Sequence, residues 1–508
     1  MKKSRFLTLI ALVLTAALTL SSCGIIIIND TSDPSDTTQP SDTTESSDTP
    51  QDTTTGEKIN QSPTLDYITL SKEYLDALGE IDLSERDVII AGVNAETFGG
   101  VNQEMVATIM GLNLGKRNTS FETATNSNLV YSEMAEDILY DELLTAVQAD
   151  EYYADMIVIP QQLLGKYVVD GLLYDISRLD CDYANQPYFD YTAIQKTGGA
   201  KLYGLIGDAT NNPDYLYATY FNKDIIKNAG LDSPYALVNR GQWTLDKLIE
   251  YTATIAASEH GIEGFVSQGF SGNHYADTFF FAGNYSLVTN AYGNAPVITT
   301  PTDAAEALVK KIRDMTKNSA AFLTGEDAET LFTEGKMAFY TAPMSRSSAL
   351  ASIESDWGLV PVPKTEADQS AFRSIADPDM PILAVPANVK NVEETSKIVS
   401  AYFASSLNFL KSSYTESQMT YYLRDSMAID MVYLITKSAV YDMGYMYSYR
   451  DAEISPAVDL FSNVKNASIT TLRTVVTKSN TMTHYYNLYK NRAANELAFL
   501  APPAVEEE

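Results

Sequence analysis

The chain has 508 residues, which is too long for a single hydrophobic core and predicts at least two compact bodies. Its hydrophobic fraction of 45% is ordinary for a globular protein, whereas its formal net charge of −31 is strongly acidic. That charge would repel nucleic-acid phosphates and anionic lipid headgroups. It argues against a nucleic-acid partner and against simple electrostatic attachment to a membrane.

The N-terminus has the pattern of an export signal. Three basic residues lie within residues 2–5, and the apolar run 6–20 that follows is too short to span a bilayer comfortably. The run ends in Leu20-Ser21-Ser22-Cys23, which resembles the lipobox of bacterial lipoproteins. The resemblance implies that residues 1–22 are a lipoprotein signal peptide and that Cys23 is lipidated, with palmitate among the acyl groups. An ordinary secretory signal is the alternative.

Residues 23–62 are expected to form a lipid anchor and a disordered tether. Beyond the short apolar run 25–28 the segment is rich in Ser, Thr, Asp and Pro and cannot bury enough surface to fold. A flexible chain of about 34 residues has an end-to-end distance of about 30–35 Å. Apart from Cys23 the chain has one cysteine, Cys181, so no intrachain disulfide is expected.

Strands alternate with helices in the next part of the chain. Residues 87–93 and 155–160 are short apolar runs typical of buried strands, and 105–114 and 133–149 have helical patterns. This alternation predicts a mostly parallel sheet. In such sheets the loops after the strands face a ligand crevice.

Residues 216–250 combine several local signals. A strand over 216–221 precedes Asn222, which can cap a short helix, and Gly230 can end that helix in a left-handed turn. Thr244 can cap a second helix. We expect Trp243, just before that cap, to pack the helix entry rather than to stack on a ligand.

These residues carry a family resemblance. YFNKDIIKNAGLD followed by QWTLDKL is similar to the extracellular solute-binding proteins of ABC importers, family 1, which mostly carry sugars. ADMIVIPQQLLGKYVVDGLLYDIS, LFTEGKMAF and WGLVPVPK resemble further segments of that family in the same order. The resemblance covers about residues 85–500, and the order of the segments carries it.

The resemblance implies an α/β, two-lobe, periplasmic-binding-protein-like fold of type II, with a hinge and a ligand cleft between the lobes. Lobe one is expected to comprise 84–215 plus 340–378, and lobe two 216–339 plus 379–500. The chain is expected to cross between lobes near 214–221, 337–342 and 376–383. Such a protein closes on its ligand as a hinged trap.

The function that the resemblance implies is solute capture at the outer face of the cell membrane. A lipid-anchored receptor would hold a small solute, most often a carbohydrate, and deliver it to ABC transporter permease subunits. It would act as a monomer, without a cofactor or a metal and without catalysis. The alternative is a surface-attached carbohydrate-active enzyme or adhesion module.

Enzyme signatures are not apparent in the sequence. The three histidines, His260, His274 and His484, are isolated and lack zinc-site spacing. Neither a G-x-S-x-G elbow nor a phosphate-binding P-loop occurs. No pair of carboxylates is marked locally as a glycosidase pair.

We expect ligand residues at strand ends and lobe crossings, and we expect them to include aromatic rings and side chains that form hydrogen bonds, because sugar sites combine the two. They are Glu96, Thr97, Phe98, Gln161, Gln162, Asn212, Asp214, Tyr215, Phe270, Asn273, His274, Tyr275, Tyr340, Met344 and Arg346. For each of them a purely structural role is the alternative.

Overall fold

A computed structural model describes residues 67–258, 265–272, 274–290, 292–317, 322–423, 425–447, 464 and 467–502. The predicted signal peptide 1–22, the tether 23–62 with Cys23, and the candidate ligand residue Asn273 lie outside these ranges. Within them, no helix is long and apolar enough to cross a membrane.

The described strands are numbered in chain order. They are β1 Asp87–Gly92, β2 Asn128–Glu133, β3 Met156–Pro160, β4 Gly204–Leu205, β5 Tyr217–Asn222, β6 Val266–Phe270, β7 Val288–Thr289, β8 Val297–Ile298, β9 Phe322–Thr324, β10 Met337–Pro343, β11 Trp357–Pro361, β12 Ser374–Ile375, β13 Pro381–Ala384 and β14 Ala439–Val440.

The described α-helices are Tyr67–Ala77, Ala95–Gly99, Ile109–Thr125, Glu136–Ala149, Leu164–Val169, Tyr191–Ile194, Lys223–Asn228, Pro234–Asn239, Leu245–Ala257, Tyr275–Ala282, Asp303–Thr316, Glu326–Thr333, Ser347–Leu350, Val392–Ser405, Phe409–Tyr421, Ser426–Thr436, Met443–Met446, Ile469–Val475 and Met482–Leu497. Short 3-10 helices are Met105–Ala107, Gln161–Leu163, Ile176–Arg178, Gln195–Thr197, Pro213–Tyr215, Met344–Arg346 and Ala498–Leu500.

The first sheet has the strand order β2-β1-β3-β13-β4. Strand β1 pairs in parallel with β2 and β3, and β13 runs antiparallel to β3. Strand β3 is an apolar run, and β1 is apolar after its first residue, Asp87; most of their residues are buried, as is typical of parallel strands. We call this sheet and the hydrophobic core around it the first lobe.

The second sheet has the order β11-β5-β10-β6-β9. Strand β10 pairs antiparallel with β5 and parallel with β6, and every residue of β5 is buried. A separate hydrophobic core surrounds this sheet. We call the sheet and its core the second lobe. The α/β prediction is therefore confirmed, with two sheets and two cores.

The predicted division of the C-terminal half between lobes is wrong. Strand β11 and the last four residues of β10 fall in the predicted first-lobe segment 340–378, but both strands belong to the second sheet. Strand β13, predicted for the second lobe, pairs with β3 in the first. The physical reason is that β10 continues the sheet begun by β5 instead of leaving it, so 337–342 is not a crossing.

The local signals around residue 222 are confirmed. The Asn222 side chain accepts a hydrogen bond from the Ile225 amide (3.0 Å), and the Thr244 hydroxyl accepts one from Lys247 (3.2 Å). Trp243 is completely buried, and its indole Nε1 donates to the Pro361 carbonyl (2.7 Å). Trp243 therefore packs the second lobe, as expected.

Candidate functional site

A cavity of about 390 Å³ lies between the two lobes. The carboxyl ends of β1, β3 and β10 and the amino end of β13 meet there, as expected for ligand crevices of α/β proteins. Its walls are formed by Val93, Asn94, Thr97, Phe98, Met105, Met110, Leu114, Pro160, Thr210, Asn212, Asp214, Tyr215, Pro343, Ser345, Arg346, Asp377, Asp379, Pro381 and Leu410. We call this cavity the cleft.

The first-lobe wall depends on a tight turn after β1. Gly92, the last residue of β1, has φ of 151°, and a Cβ atom on it would lie 2.0 Å from the Val158 carbonyl oxygen. Asn94 follows in the left-handed region with φ of 55° and precedes the helix Ala95–Gly99. This geometry brings Thr97 and Phe98 to the cleft.

The first crossing between the lobes, which is the segment that leads from the first lobe into β5, supplies three polar side chains. Asn212 caps the short helix Pro213–Tyr215, and its Oδ1 accepts from the Asp214 amide (3.0 Å). Burial raises the pKa of the Asp214 carboxyl to about 6, and the neighbouring Tyr414 phenol partly opposes this shift. Burial, together with nearby carboxylates, raises the pKa of Tyr215 to about 12.

The second crossing, before β13, is fastened to both lobes. The Asp377 amide donates to the Tyr215 carbonyl (2.8 Å), and the Tyr217 phenol donates to Asp377 Oδ2 (3.0 Å). From the first lobe, Gln161 Nε2 donates to the Asp377 carbonyl (2.8 Å), and Gln162 Nε2 donates to Asp379 Oδ1 (2.6 Å). Asp377 is thus held where the two crossing segments touch.

The second lobe contributes Arg346 to the cleft. Arg346 follows β10, and its Nε lies 3.5 Å from Glu329 Oε2. The same carboxylate accepts from the Tyr340 phenol (3.0 Å). Tyr340 itself is buried and stacks on Phe332.

Six of the predicted ligand residues line the cleft together: Thr97, Phe98, Asn212, Asp214, Tyr215 and Arg346. Gln161 is buried beneath the second crossing and holds its backbone, and Gln162 holds Asp379. Glu96 is exposed on the helix after β1, outside the cleft wall.

Three further candidates are packing residues of the second lobe. Phe270, Tyr340 and Met344 are completely buried, and none of them forms part of the cleft wall. Phe270 stacks on Tyr217 with 5.5 Å between ring centroids. Since their surfaces are already occupied by neighbouring side chains, we correct their assignment from ligand contact to core packing.

His274 and Tyr275 also lie away from the cleft wall. His274 Nδ1 is 3.1 Å from Arg473 Nη2 and 3.3 Å from Asp277 Oδ2. Asp277 is fully buried and ion-paired with Arg473, so His274 belongs to a charge cluster that fixes the helix Tyr275–Ala282 against Ile469–Val475. Tyr275 packs edge-on against Phe270 and Phe322.

Several residues of the cleft wall were not anticipated, notably Asn94, Asp377, Asp379, Met105 and Met110. Asn94 lies just after β1, next to the predicted ligand residues Thr97 and Phe98. Asp377 and Asp379 directly precede β13, so a correct pairing of that strand with β3 would have brought them to the cleft. The two methionines look like ordinary helix-face residues in the sequence.

A second cavity, of about 450 Å³, lies within the first lobe at the amino ends of β1 and β3. There Arg86 Nη2 pairs with Asp155 Oδ1 (2.8 Å) and Glu394 Oε1 (2.6 Å), and the Tyr152 phenol donates to Asp155 Oδ2 (2.8 Å). This network ties the helix Val392–Ser405 to the sheet. Although larger, this cavity is not shared between lobes, and we do not take it as the candidate site.

No metal site is apparent within the part of the chain that the structure describes. No group of three or more His, Cys, Asp or Glu side chains there is arranged to hold a metal ion. The cleft is thus a surface of carboxylates, amides, one guanidinium and apolar side chains, which suits hydrogen bonding to a small organic solute.

Two lobes with a mixed polar and apolar cavity between them define a class of binding protein that encloses a small ligand. Residues 116–414, more than half of the chain, match the family model described as bacterial extracellular solute-binding protein. The chain belongs to that family, which confirms the family resemblance.

Individual relatives agree with this assignment. A protein of Brucella abortus (strain 2308), whose name assigns it only a binding role, is 24% identical over 305 residues, covering 57% of this chain and 70% of the relative. Among solved structures, the galacto-N-biose-/lacto-N-biose I-binding protein of the ABC transporter from Bifidobacterium longum superposes with a TM-score of 0.53 at 14% identity. The match covers 82% of this chain and 98% of that one. It supports the two-lobe fold.

Proposed function

We propose that this protein is a lipid-anchored receptor that captures a carbohydrate in the cleft and delivers it to an ABC transporter permease. The observation that carries the proposal is the cleft itself, whose wall combines side chains of both lobes with both crossing segments. A solute bound there would contact both lobes at once and favour their closure.

The choice of carbohydrate is supported by the Bifidobacterium longum protein of similar fold, which was solved with lacto-N-biose. The cleft offers the required chemistry. Phe98 and Tyr215 present aromatic surface, while Asn94, Asn212 and Arg346 present amide and guanidinium groups. Sugars need this combination, because their ring faces are apolar and their edges carry hydroxyls.

The test is isothermal titration calorimetry of the protein with lacto-N-biose, maltose, chitobiose in its N-acetylated and deacetylated forms, and spermidine. Each solute is also incubated with the protein and analysed for cleavage products. Binding of a sugar without turnover supports the receptor. Release of hydrolysis products would favour the alternative, a surface-attached carbohydrate-active enzyme.

The membrane anchor belongs to the same proposal and has its own test. Replacing Cys23 with alanine is expected to move the protein from the membrane fraction to the culture medium or periplasm, because the acylated residue is lost. Immunoblotting of both fractions measures the change, with Cys181→Ala as the matched control that should stay membrane-bound. Retention of the Cys23→Ala protein in the membrane fraction would contradict lipidation at that residue.

A further inference from the structure

The guanidinium of Arg346 is held at one edge only. Arg346 is the only basic side chain among the described residues of the cleft wall, and 49% of its side chain is exposed. Its Nε lies 3.5 Å from Glu329 Oε2. Within the part of the chain that the structure describes, Nη1 and Nη2 have no hydrogen-bond partner. A contact at Nε leaves the Nη1–Nη2 edge, which carries two parallel N–H donors, available to a ligand.

Glu329 is fixed from the core of the second lobe by a phenol. The Tyr340 hydroxyl donates to Glu329 Oε2 (3.0 Å), the same oxygen that faces Arg346. Tyr340 is completely buried, and its ring stacks on Phe332 with 5.7 Å between ring centroids. Burial and the neighbouring Glu329 carboxylate raise the pKa of Tyr340, so its phenol stays a donor. The position of this carboxylate oxygen is therefore set by a packed ring.

The turn that carries Arg346 is fixed by a second buried phenol, that of Tyr220. The Tyr220 hydroxyl lies 3.3 Å from the Pro343 carbonyl oxygen and 3.2 Å from the Met344 carbonyl oxygen. It also lies 2.9 Å from Ser347 Oγ. The chain is thus anchored on both sides of Arg346, and only the side chain remains to be oriented.

Stability alone does not explain the contact between Glu329 and Arg346. An ion pair with 3.5 Å between nitrogen and oxygen, one partner of which is half exposed, contributes little to the free energy of unfolding. What the contact provides is direction, because it occupies the Nε edge of the guanidinium and leaves the Nη edge for a ligand.

We propose that Tyr340 and Glu329 are positioning residues for ligand binding. Tyr340 fixes Glu329, Glu329 holds Arg346 by its Nε edge, and the Nη groups of Arg346 donate in parallel to two neighbouring oxygen atoms of the solute. Adjacent hydroxyls of a sugar ring provide such a pair. Neither positioning residue touches the solute. The inference rests on the proposed function in taking the cleft as the site and a carbohydrate as the solute.

The experiment is calorimetric titration of the whole protein with lacto-N-biose, maltose and N,N′-diacetylchitobiose. Tyr340→Phe removes one oxygen atom and keeps the stacked ring. We expect it to weaken a bound sugar at least about 3-fold, and Arg346→Ala to weaken it at least about 10-fold. Because Tyr340 acts through Arg346, adding Tyr340→Phe to Arg346→Ala should weaken binding by less than about 2-fold further.

Two further variants separate positioning from folding. Glu329→Gln keeps the size of the side chain, removes its charge and should weaken the sugar about as much as Tyr340→Phe. Tyr251→Phe is the matched control. Tyr251 is a buried tyrosine of the same lobe, outside the cleft wall, and its phenol donates to the Asp232 carbonyl (3.2 Å). Its loss should change the affinity by less than about 2-fold.

Chemical modification tests the arrangement without a sugar. Phenylglyoxal adds to the Nη groups of arginine, and peptide mass spectrometry measures the rate at each site. Arg240 is the comparison, because its side chain is 48% exposed and its Nη2 is paired with Asp232 (2.6 Å). We expect Arg346 to react faster than Arg240. We expect Tyr340→Phe to slow Arg346 at least about 2-fold, since the released Glu329 carboxylate can turn onto the Nη groups.

The outcomes separate this inference from the proposed function. Equal losses of affinity from Tyr340→Phe in both backgrounds, or no loss with Arg346 intact, would overturn the inference and leave carbohydrate capture standing. If none of the three sugars binds, the result counts against carbohydrate capture, and the modification rates decide the inference alone. A rate at Arg346 that does not exceed that at Arg240, or that Tyr340→Phe leaves unchanged, would overturn it.

Discussion

At the scale of single residues, the cleft contains side chains whose ionisation costs folding free energy. Asp214 is an example, since a carboxyl held partly out of water resists ionisation. Its position could be anticipated from the sequence because it lies between a helix cap and a strand. Its pKa shift could not, because the shift comes from burial in the folded protein and is opposed by Tyr414, which lies 200 residues further along the chain.

Asp214→Asn is expected to stabilise the protein near neutral pH. The folded pKa of about 6 lies above the ordinary value of 3.8, so the folded state favours the protonated acid. Asp214 therefore costs nothing below about pH 4, and its cost grows as pH rises to about 6 and then stays constant. We expect the variant to gain about 1–2 kcal/mol at pH 7.5, after allowance for solvent screening, and almost nothing at pH 4.

Chemical denaturation of both proteins at several pH values between 4 and 7.5 measures this difference. Asp379→Asn is the matched control, because Asp379 is exposed and its replacement should change the free energy of unfolding by less than about 0.5 kcal/mol. A gain for Asp214→Asn that is largest at pH 4 would contradict the account.

At the scale of elements, local sequence patterns predicted β1, β3 and β5 correctly as strands. The edge strand β2 was missed because only one of its residues, Tyr131, is buried, so its sequence lacks a strand pattern. The assignment of β10, β11 and β13 to sheets was wrong, because pairing between distant strands leaves no trace in local periodicity. Because β13 was assigned to the wrong lobe, Asp377 and Asp379, which precede it, were not included among the predicted ligand residues.

Gly92→Ala tests the turn that presents the first-lobe wall. The new Cβ would collide with the Val158 carbonyl, and the backbone of residue 92 lies at a positive φ. We expect a loss of about 3 kcal/mol in the free energy of unfolding, or failure to fold. Urea denaturation followed by circular dichroism gives the value.

Gly115→Ala is the matched control in the same lobe. Gly115 lies within the helix Ile109–Thr125, and a Cβ atom there would meet nothing within 4 Å. We expect this variant to be about 0.5–1 kcal/mol more stable, because alanine favours the helix. Similar free energies of unfolding for the two variants would show that the turn after β1 does not need glycine.

At the scale of the whole molecule, two sheets with separate cores are joined by crossing segments that also line the cleft. The family, the α/β class and the existence of two lobes followed from the order of sequence segments. Which side chains meet in the cleft did not, because that requires both lobes to be placed together. The predicted number of aromatic ligand contacts at strand ends was therefore too high. Phe270 and Tyr340, for example, are buried in the core of the second lobe.

Closure of the lobes on a solute should be visible in solution. Small-angle X-ray scattering is expected to give a smaller radius of gyration with a saturating concentration of whichever panel sugar binds by calorimetry, since the sugar would hold both walls of the cleft together. An unchanged radius of gyration with a tightly bound sugar would speak against a hinged trap. A panel sugar that does not bind serves as the control for solvent contrast.

The most direct test of the central claim, that solute is captured in the cleft between the lobes, compares two tyrosines. Tyr215 lines the cleft, and Tyr152 lines the larger cavity within the first lobe. Calorimetric titration of Tyr215→Ala and Tyr152→Ala with the full solute panel places the binding site. We predict that Tyr215→Ala weakens the bound solute at least about 10-fold while Tyr152→Ala leaves its affinity unchanged. Loss of affinity in Tyr152→Ala with normal binding by Tyr215→Ala would contradict the account.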